Sequence, residues 1–477
     1  MADYRALVKD KKEELTPLHA RMQEDIDLLY LKNYVMKDSR GVVVPDIINT
    51  TLNQPAVFAG NVIAALGGAS QQIIVEAQDR GIDTALIEGF LTDAFASADA
   101  LLSQRPGQPH LDEFANTQLC IRGRTAQRVL FRMEGRELIP SITPWDGRFV
   151  FYEHGRDGLR WAAYNTRRSR EQIRQEYGIE VKGKEGEVLD VWDAEHNEIW
   201  IDGFKHLEQG HSYGEVPVVI SVVSLGYGDS LLETDRVKHE GESIFFLIRG
   251  IVPELNRQMS VLATLNLKSV KPPVVQTRKG GGEVSEYEDV MGMGSITGMA
   301  EGEGVTPVPY GDARRAAELL YTVMQGAMQK GSITDIDLGT LQFPLSAVAL
   351  VALGEGRDQV FLPRLQAKAQ LNKQTAEMLT RQVIQIGGTV ELGVPGHKTT
   401  YSVRKLEGDY ETSFKYTNKS PKQDIARMAI ATQAERYLDR ETILKEILMV
   451  EDWQGVRQRG YYDMAELVDP LILRHRI

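Results

Sequence analysis

The residues that could do chemistry are few, and their spacing argues against most reactions. Gly326-Ala-Met-Gln-Lys-Gly331-Ser332 has the two glycines and the hydroxyl of a phosphate loop, but no lysine stands between Gly331 and Ser332. A helical pattern precedes it where that loop needs a strand, so a helix stopped by glycine explains it better. Gly292-Met-Gly294-Ser-Ile-Thr-Gly298 has one residue too many for a dinucleotide turn and no helix after it. Asp335-Ile-Asp337-Leu-Gly339 alternates two carboxylates without the later ligands of a calcium loop. His206 and His211 flank a turn, and His239-Glu240 lacks a second histidine at helical spacing, so no metal set of two histidines and a carboxylate forms. Cys120, the only cysteine, sits in the apolar run Leu119-Cys120-Ile121 and reads as a buried thiol. No Gly-x-Ser-x-Gly turn follows a strand pattern. The expectation is a protein with no catalytic residues, no metal and no cofactor.

Composition narrows the class further. The 477 residues, with 42% hydrophobic and 26% charged, suit a folded chain of two to four core-forming units. The formal charge of −12 opposes a strong general attraction to nucleic acid or anionic lipid. A single cysteine rules out an intramolecular disulfide and fits a reducing compartment. The start, MADYRALVKDKKEELTPL, has neither the apolar run of a signal peptide nor the Arg/Ser-rich character of a transit peptide. The most apolar stretch, 244–267, is broken by Arg249, Pro253, Glu254, Asn256 and Arg257, so no membrane span is expected. Arginines cluster at 122–136 and at Arg167, Arg168, Arg170 and Arg174; they read as a solvated, salt-bridged face or as ion pairs between subunits. Nucleic-acid binding by them ranks third, because no aromatic stacking pattern accompanies them.

The elements that must position these residues follow from periodicity. Apolar residues at threes and fours predict helices over 13–31, 53–79, 82–104 and 110–134, the last with Arg124, Arg128 and Arg132 at successive fours. After Pro140, short strands predominate: 145–152, 159–164, 186–192, 198–203 and 216–223, interrupted by a helix at 169–177. Helical character returns over 230–268 with a kink expected at Pro253. Residues 271–312 are rich in glycine and proline, with strand-like pieces at 273–276 and 305–308. Between Glu283 and Glu303 there are acids at Glu286, Glu288, Asp289 and Glu301 and no base. A helix at 313–330, the loop GSITDIDLGTLQFPLS at 331–346, a long helix to 386, strands at 399–405 and 411–416, and charged helices from 421 complete the chain.

That order of elements resembles the core of the portal proteins of tailed bacteriophages. The likeness rests on a two-part helix ending at Lys268-Ser-Val-Lys-Pro-Pro-Val-Val, a helix-poor excursion, a helix returning to Lys330, a loop, and a long helix opening with Ser346-Ala347-Val-Ala-Leu. It spans roughly residues 140 to 420, and the order carries it, since the motifs are degenerate. Trp145-Asp146 to Trp161 and Tyr164 resemble the family's wing strands. Pro217-Val-Val-Ile220 followed by Gly226-Tyr-Gly-Asp-Ser230 resembles the strand and turn before its stem, and Phe361-Leu-Pro-Arg364 a step in its long helix. The resemblance implies an α+β, ring-forming portal fold. It would have a wing (1–234), a first stem helix (235–268), a clip (269–312), a second stem helix (313–330) and a tunnel loop (331–346). A long wing helix (347–388), wing strands (389–420) and a short crown (421–477) would follow.

By the same resemblance, the chain would form a ring of about twelve copies at one capsid vertex of a virion assembled in the host cytoplasm. Double-stranded DNA would be packaged and ejected through its channel. Partners would be the major capsid protein, the terminase motor and later the neck or tail adaptor, with no membrane. The channel residues would be Lys330, Ile333, Thr334, Asp335, Asp337 and Thr340, and the docking acids Glu283, Glu286, Glu288 and Asp289. The physics is consistent: duplex DNA carries about one negative charge per 1.7 Å, and an acidic or neutral lumen lets it slide. Three other readings stay open: another ring-forming neck or baseplate protein, an intracellular enzyme with a divergent nucleotide site at 326–332, and a monomeric binding module.

Overall fold

In the computed structural model, Asp3 accepts the backbone N–H groups of Arg5 and Ala6 and so starts α1 (Tyr4–Glu14). A break at Leu15 leads into α2 (Thr16–Leu29), which answers to the helix expected over 13–31, while α1 was not expected. The structure describes residues 3–79, 81–156, 158–224, 234–270, 274–278, 303–307, 311–331, 347–417, 421–435, 438–448 and 460. The remaining elements in chain order begin with α3 (Gln54–Gly67), β1 (Ser70–Glu76), α4 (Thr84–Ser103), α5 (Leu111–Ile121), β2 (Arg124–Glu134), β3 (Glu137–Trp145), β4 (Val150–Gly155) and β5 (Gly158–Ser169). Then come α6 (Arg170–Tyr177), β6 (Glu185–Trp192), β7 (His196–Ile201), β8 (Phe204–Gly210), β9 (Val218–Val222), α7 (Ile251–Val270), β10 (Val274–Arg278) and β11 (Glu303–Pro307). The last are α8 (Gly311–Gly331), α9 (Ala347–Ile384), β12 (Thr389–Val394), β13 (His397–Ser402), β14 (Glu411–Thr417) and α10 (Pro421–Ala434). The architecture is α+β, as expected.

The chain divides into two units, one of 1–25, 59–244 and 335–477, the other of 26–58 and 245–334. In the first, a five-stranded sheet runs β13-β12-β3-β2-β9 and a second runs β4-β5-β6-β7-β8. β3 alternates buried Leu138, Pro140 and Ile142 with partly exposed neighbours, the period-two pattern of a strand covered on one face. That face meets α4, β14 and the second half of α9 in the largest core, with Phe90, Leu91, Val129, Leu371, Leu379 and Val390 among its members. Each such side chain contributes about 1.5–3 kcal/mol on burial. The two sheets meet at Trp145, which stacks on Tyr164 with ring centroids 4.9 Å apart. α9 crosses β2 through polar contacts: Gln127 donates to Thr375 Oγ1, and Gln382 Nε2 donates to the Val129 carbonyl at 3.0 Å.

Four expectations are corrected. The helix expected over 53–79 stops at Gly67, and the β-branched run Ile73-Ile-Val75 pairs as β1 with β14. The helix expected over 110–134 stops at Ile121; Gly123 turns the chain with φ +73°, and Arg124, Arg128 and Arg132 lie on β2. A spacing of four keeps residues on one face of a helix and equally of a strand, which is why the pattern misled. Over 230–268 only a short 3₁₀ turn (Thr234–His239) and α7 are helical among the described residues. Pro253 does not kink a helix: it falls in the first turn of α7, where its missing N–H is not needed. β8 was not expected at all, because all seven of its residues are exposed and show no alternation.

A tight backbone contact governs the first unit. A Cβ on Gly123 would lie 1.6 Å from the Gly241 carbonyl oxygen, so the turn after the 3₁₀ segment lies directly on the α5–β2 junction. Arg21, fully buried on α2, rivets it. Its guanidinium donates to the carbonyls of Arg122 at 2.9 Å and Gly241 at 3.0 Å, and lies 3.3 Å from the Glu242 carboxylate.

Candidate functional site

In the second unit, α7 carries Asn256, Ser260 and Thr264, all buried and spaced by four on one face. Their oxygens accept the backbone N–H groups of Leu52, Thr50 and Ile48, each at 2.9 Å. The fit is metric: four helical residues rise about 6.0 Å, and two extended residues span about 6.6–6.8 Å. The hydroxyls stay satisfied because Ser260 and Thr264 also donate back to the carbonyls four residues earlier, both at 2.7 Å. The alternate strap residues face away and repeat the device, Thr51 Oγ1 accepting from Tyr34 N–H and Asn49 Oδ1 from Met36 N–H, both at 2.8 Å. Residues 34–52 are thus tied, layer by layer, to α7.

β10 and β11 pair antiparallel, and the ladder ends with Arg278 opposite Glu303. Residues 279–302 join the two strands in the chain. Glu283, Glu286, Glu288 and Asp289 lie in that segment, outside the described residues. α8 then presents Ala316, Leu319, Leu320, Val323 and Ala327 to solvent, with Leu319 68% and Val323 62% exposed. Their spacing of threes and fours draws an apolar stripe along one face, opposite in kind to the polar surface such a helix normally shows. Sequence reasoning passed over this stripe and the α7 ladder. The signals were present, as i, i+3, i+4, i+7 apolar residues over 316–327 and as three small polar residues every fourth position.

Of the expected channel residues, Lys330 falls on α8 by its backbone, while Ile333, Thr334, Asp335, Asp337 and Thr340 lie outside the described residues. Gly326 to Gly331 are helical within α8, which gives them no loop with which to hold a phosphate. The segments 292–298 and 335–339 also lie outside the described residues.

The arginine clusters resolve into struts and surface pairs. Arg122 meets Asp146 at 3.3 Å and Arg128 meets Asp190 at 2.8 Å, while buried Arg124 donates to the Val150 carbonyl at 2.7 Å. Arg168 pairs with Glu176, and Arg174 lies 3.9 Å from Glu171. Cys120 is buried, and burial pushes its thiol up to about 12, which leaves it no nucleophilic thiolate at neutral pH. Among the described residues, no cluster of three or more His, Cys, Asp or Glu side chains is placed to hold a metal ion, and no helix is long and apolar enough to cross a membrane.

No protein-family model matches the chain, and no curated protein matches it. Among solved structures, one similar chain comes from the virion of a native gene transfer agent particle, with a TM-score of 0.38 and 12% identity over 83% of this chain and 89% of that one. Another comes from the neck of an empty gene transfer agent particle, computed with C6 symmetry, with a TM-score of 0.37 and 12% identity over 82% of this chain and 88% of that one.

Proposed function

We propose that this protein is the subunit of a portal ring, a structural channel for double-stranded DNA at a capsid vertex, with no catalytic chemistry of its own. One observation carries the reading: the apolar stripe on α8, on a helix–strand pair–helix unit, is left uncovered by the single chain and is suited to burial against further copies. In a ring of about twelve copies, each α8 would pack against its neighbour. The loop 331–346 would then point into the channel, with Asp335 and Asp337 repelling phosphate and Lys330 at its edge centring the strand. The acids Glu283, Glu286, Glu288 and Asp289, which fall between β10 and β11 in the sequence, would meet the terminase motor during filling and a neck or tail adaptor afterwards. The crown, from 421 onward, is short, and the wing would face the major capsid protein. The same stripe would serve another neck or baseplate ring equally well, and channel width separates the two readings.

Native mass spectrometry of the purified chain, followed by imaging of the assembly, tests the proposal. A closed ring with a channel wide enough to pass a B-form duplex supports it. A monomer under assembly conditions, or a ring too narrow for DNA, overturns it. Replacing Asp335 and Asp337 with lysine should leave the ring intact and slow DNA movement, since added cations would bind phosphates along the path.

A further inference from the structure

The strap that the α7 ladder holds is itself uncovered. No residue from 31 to 50 is buried, and Val35, Val42, Val43 and Ile48 stand exposed, Val42 by 59% and Val43 by 52%. Between residues 59 and 148, by contrast, no large hydrophobic side chain among the described residues is exposed. The strap is nevertheless built to one shape. Asp38 donates its N–H to the Val42 carbonyl at 2.8 Å, and Val44 donates to the Met36 carbonyl at 3.0 Å, which closes a hairpin around the Lys37–Val43 bridge. Its tip is fixed by Asp38 Oδ1, which accepts the N–H groups of Arg40 and Val42, both at 2.9 Å, and by Gly41 at φ +81°. Residues directly opposite in an antiparallel pair share a face, so Val43 lies beside Lys37, with Val35 on the same face two residues earlier.

We propose that this valine face seats the α8 stripe of the next copy in the ring, Val35 and Val43 of one subunit packing on Leu319 and Val323 of its neighbour, a contact that rests on the ring reading above. A ring about a single axis is built from heterologous contacts, in which each copy uses two different surfaces. The α8 stripe meeting its own counterpart would close a two-fold dimer, so a ring needs a second apolar surface elsewhere on the subunit. The strap belongs to the same unit as α8, and α7 joins them: Asn256, Ser260 and Thr264 hold the strap, and α8 packs along the same helix. One helix thus fixes the angle between the two surfaces, which is the quantity that must repeat for a ring to close. The exposed Phe204 and Leu207, by contrast, belong to β8 in the first unit rather than to the framework of α7. A hairpin held in shape before docking also loses little conformational freedom when it is covered.

The test assembles two full-length variants, Val43→Cys and Val323→Cys, mixed in equal amounts, and treats the assembly with a short bis-maleimide. The natural Cys120 is buried and stays unreactive. A linked dimer is expected from the mixture and from neither variant alone, with mass spectrometry of its peptides joining residue 43 to residue 323. Phe204→Cys in place of Val43→Cys should give no link. Independently, Val35→Asp/Val43→Asp should raise the concentration for half-assembly about 10- to 100-fold, from the exposed part of two valine side chains that the contact would bury. Exchange of the Ile48, Thr50 and Leu52 amides should be unchanged in that variant; if the strap loosens instead, the cross-link alone decides. Closed rings that give no link between 43 and 323, that link residue 204 to 323, or whose assembly the double substitution leaves unmoved would overturn this contact and leave the ring standing. A chain that stays monomeric at every concentration overturns both.

Discussion

Charging the α8 stripe tests the ring most directly. In Leu319→Glu/Val323→Glu, two side chains that are 68% and 62% exposed in the single chain become carboxylates. Neither belongs to a core cluster among the described residues, so the subunit should fold with unchanged helicity and an unchanged urea midpoint, within about 0.5 kcal/mol for surface sites. In the ring the same positions would be buried. Fully burying a leucine or valine contributes about 1.5–3 kcal/mol, and roughly two thirds of that surface is still available here, so the pair should contribute about 2–4 kcal/mol at each contact between copies. At 1.4 kcal/mol per tenfold, the concentration for half-assembly should rise roughly 30- to 700-fold, before counting the cost of desolvating two carboxylates. Sedimentation velocity across a dilution series reads that shift. Assembly at the wild-type concentration would mean that α8 faces no neighbour and that the ring argument built on it is wrong.

Three other outcomes follow from the geometry. Ser260→Ala removes the acceptor for the Thr50 N–H; leaving that part-buried donor unpaired costs about 1–2 kcal/mol, so the Ile48, Thr50 and Leu52 amides should exchange about 5- to 30-fold faster, measured by hydrogen exchange, while amides of the other unit are unaffected. Gly123→Ala forces a Cβ to 1.6 Å from Gly241 O at φ +73° and should cost more than 3 kcal/mol or prevent folding, whereas Gly135→Ala, at φ +65° with nothing within 4 Å, should cost about 1 kcal/mol in a urea titration. Because the His19 pKa is lowered from 6.5 to about 4, protons bind the unfolded chain first as pH falls through that window. Stability should therefore drop between those values, and His19→Gln should flatten the pH dependence of the thermal midpoint.

Local patterning was enough to find α4, α6, α8, α9 and most strands of the two large sheets, because each is written in nearest-neighbour periodicity and in glycine or proline stops. It also located the acidic run after Glu283 and the base-free segment after Gly331, with its two aspartates, as sequence features. What it missed depended on partners far along the chain. Nothing local tells whether Arg124, Arg128 and Arg132 ride a helix or a strand until β3 and β9 claim the backbone of β2. Sequence offered both intra-chain and inter-subunit partners for the Arg122 and Arg128 charges, and folding brings Asp146 and Asp190 within reach. Asn256, Ser260 and Thr264 read as ordinary polar interruptions until residues 48–52, some two hundred positions earlier, presented their amides at the matching pitch. Composition and period thus marked most of the helical, extended and acidic segments; only tertiary structure decided which of them pair as strands, which charges are spent inside the subunit and which surfaces, such as the α8 stripe, stay exposed, because hydrogen bonds and ion pairs are satisfied by proximity in space and sequence encodes that only through the whole fold.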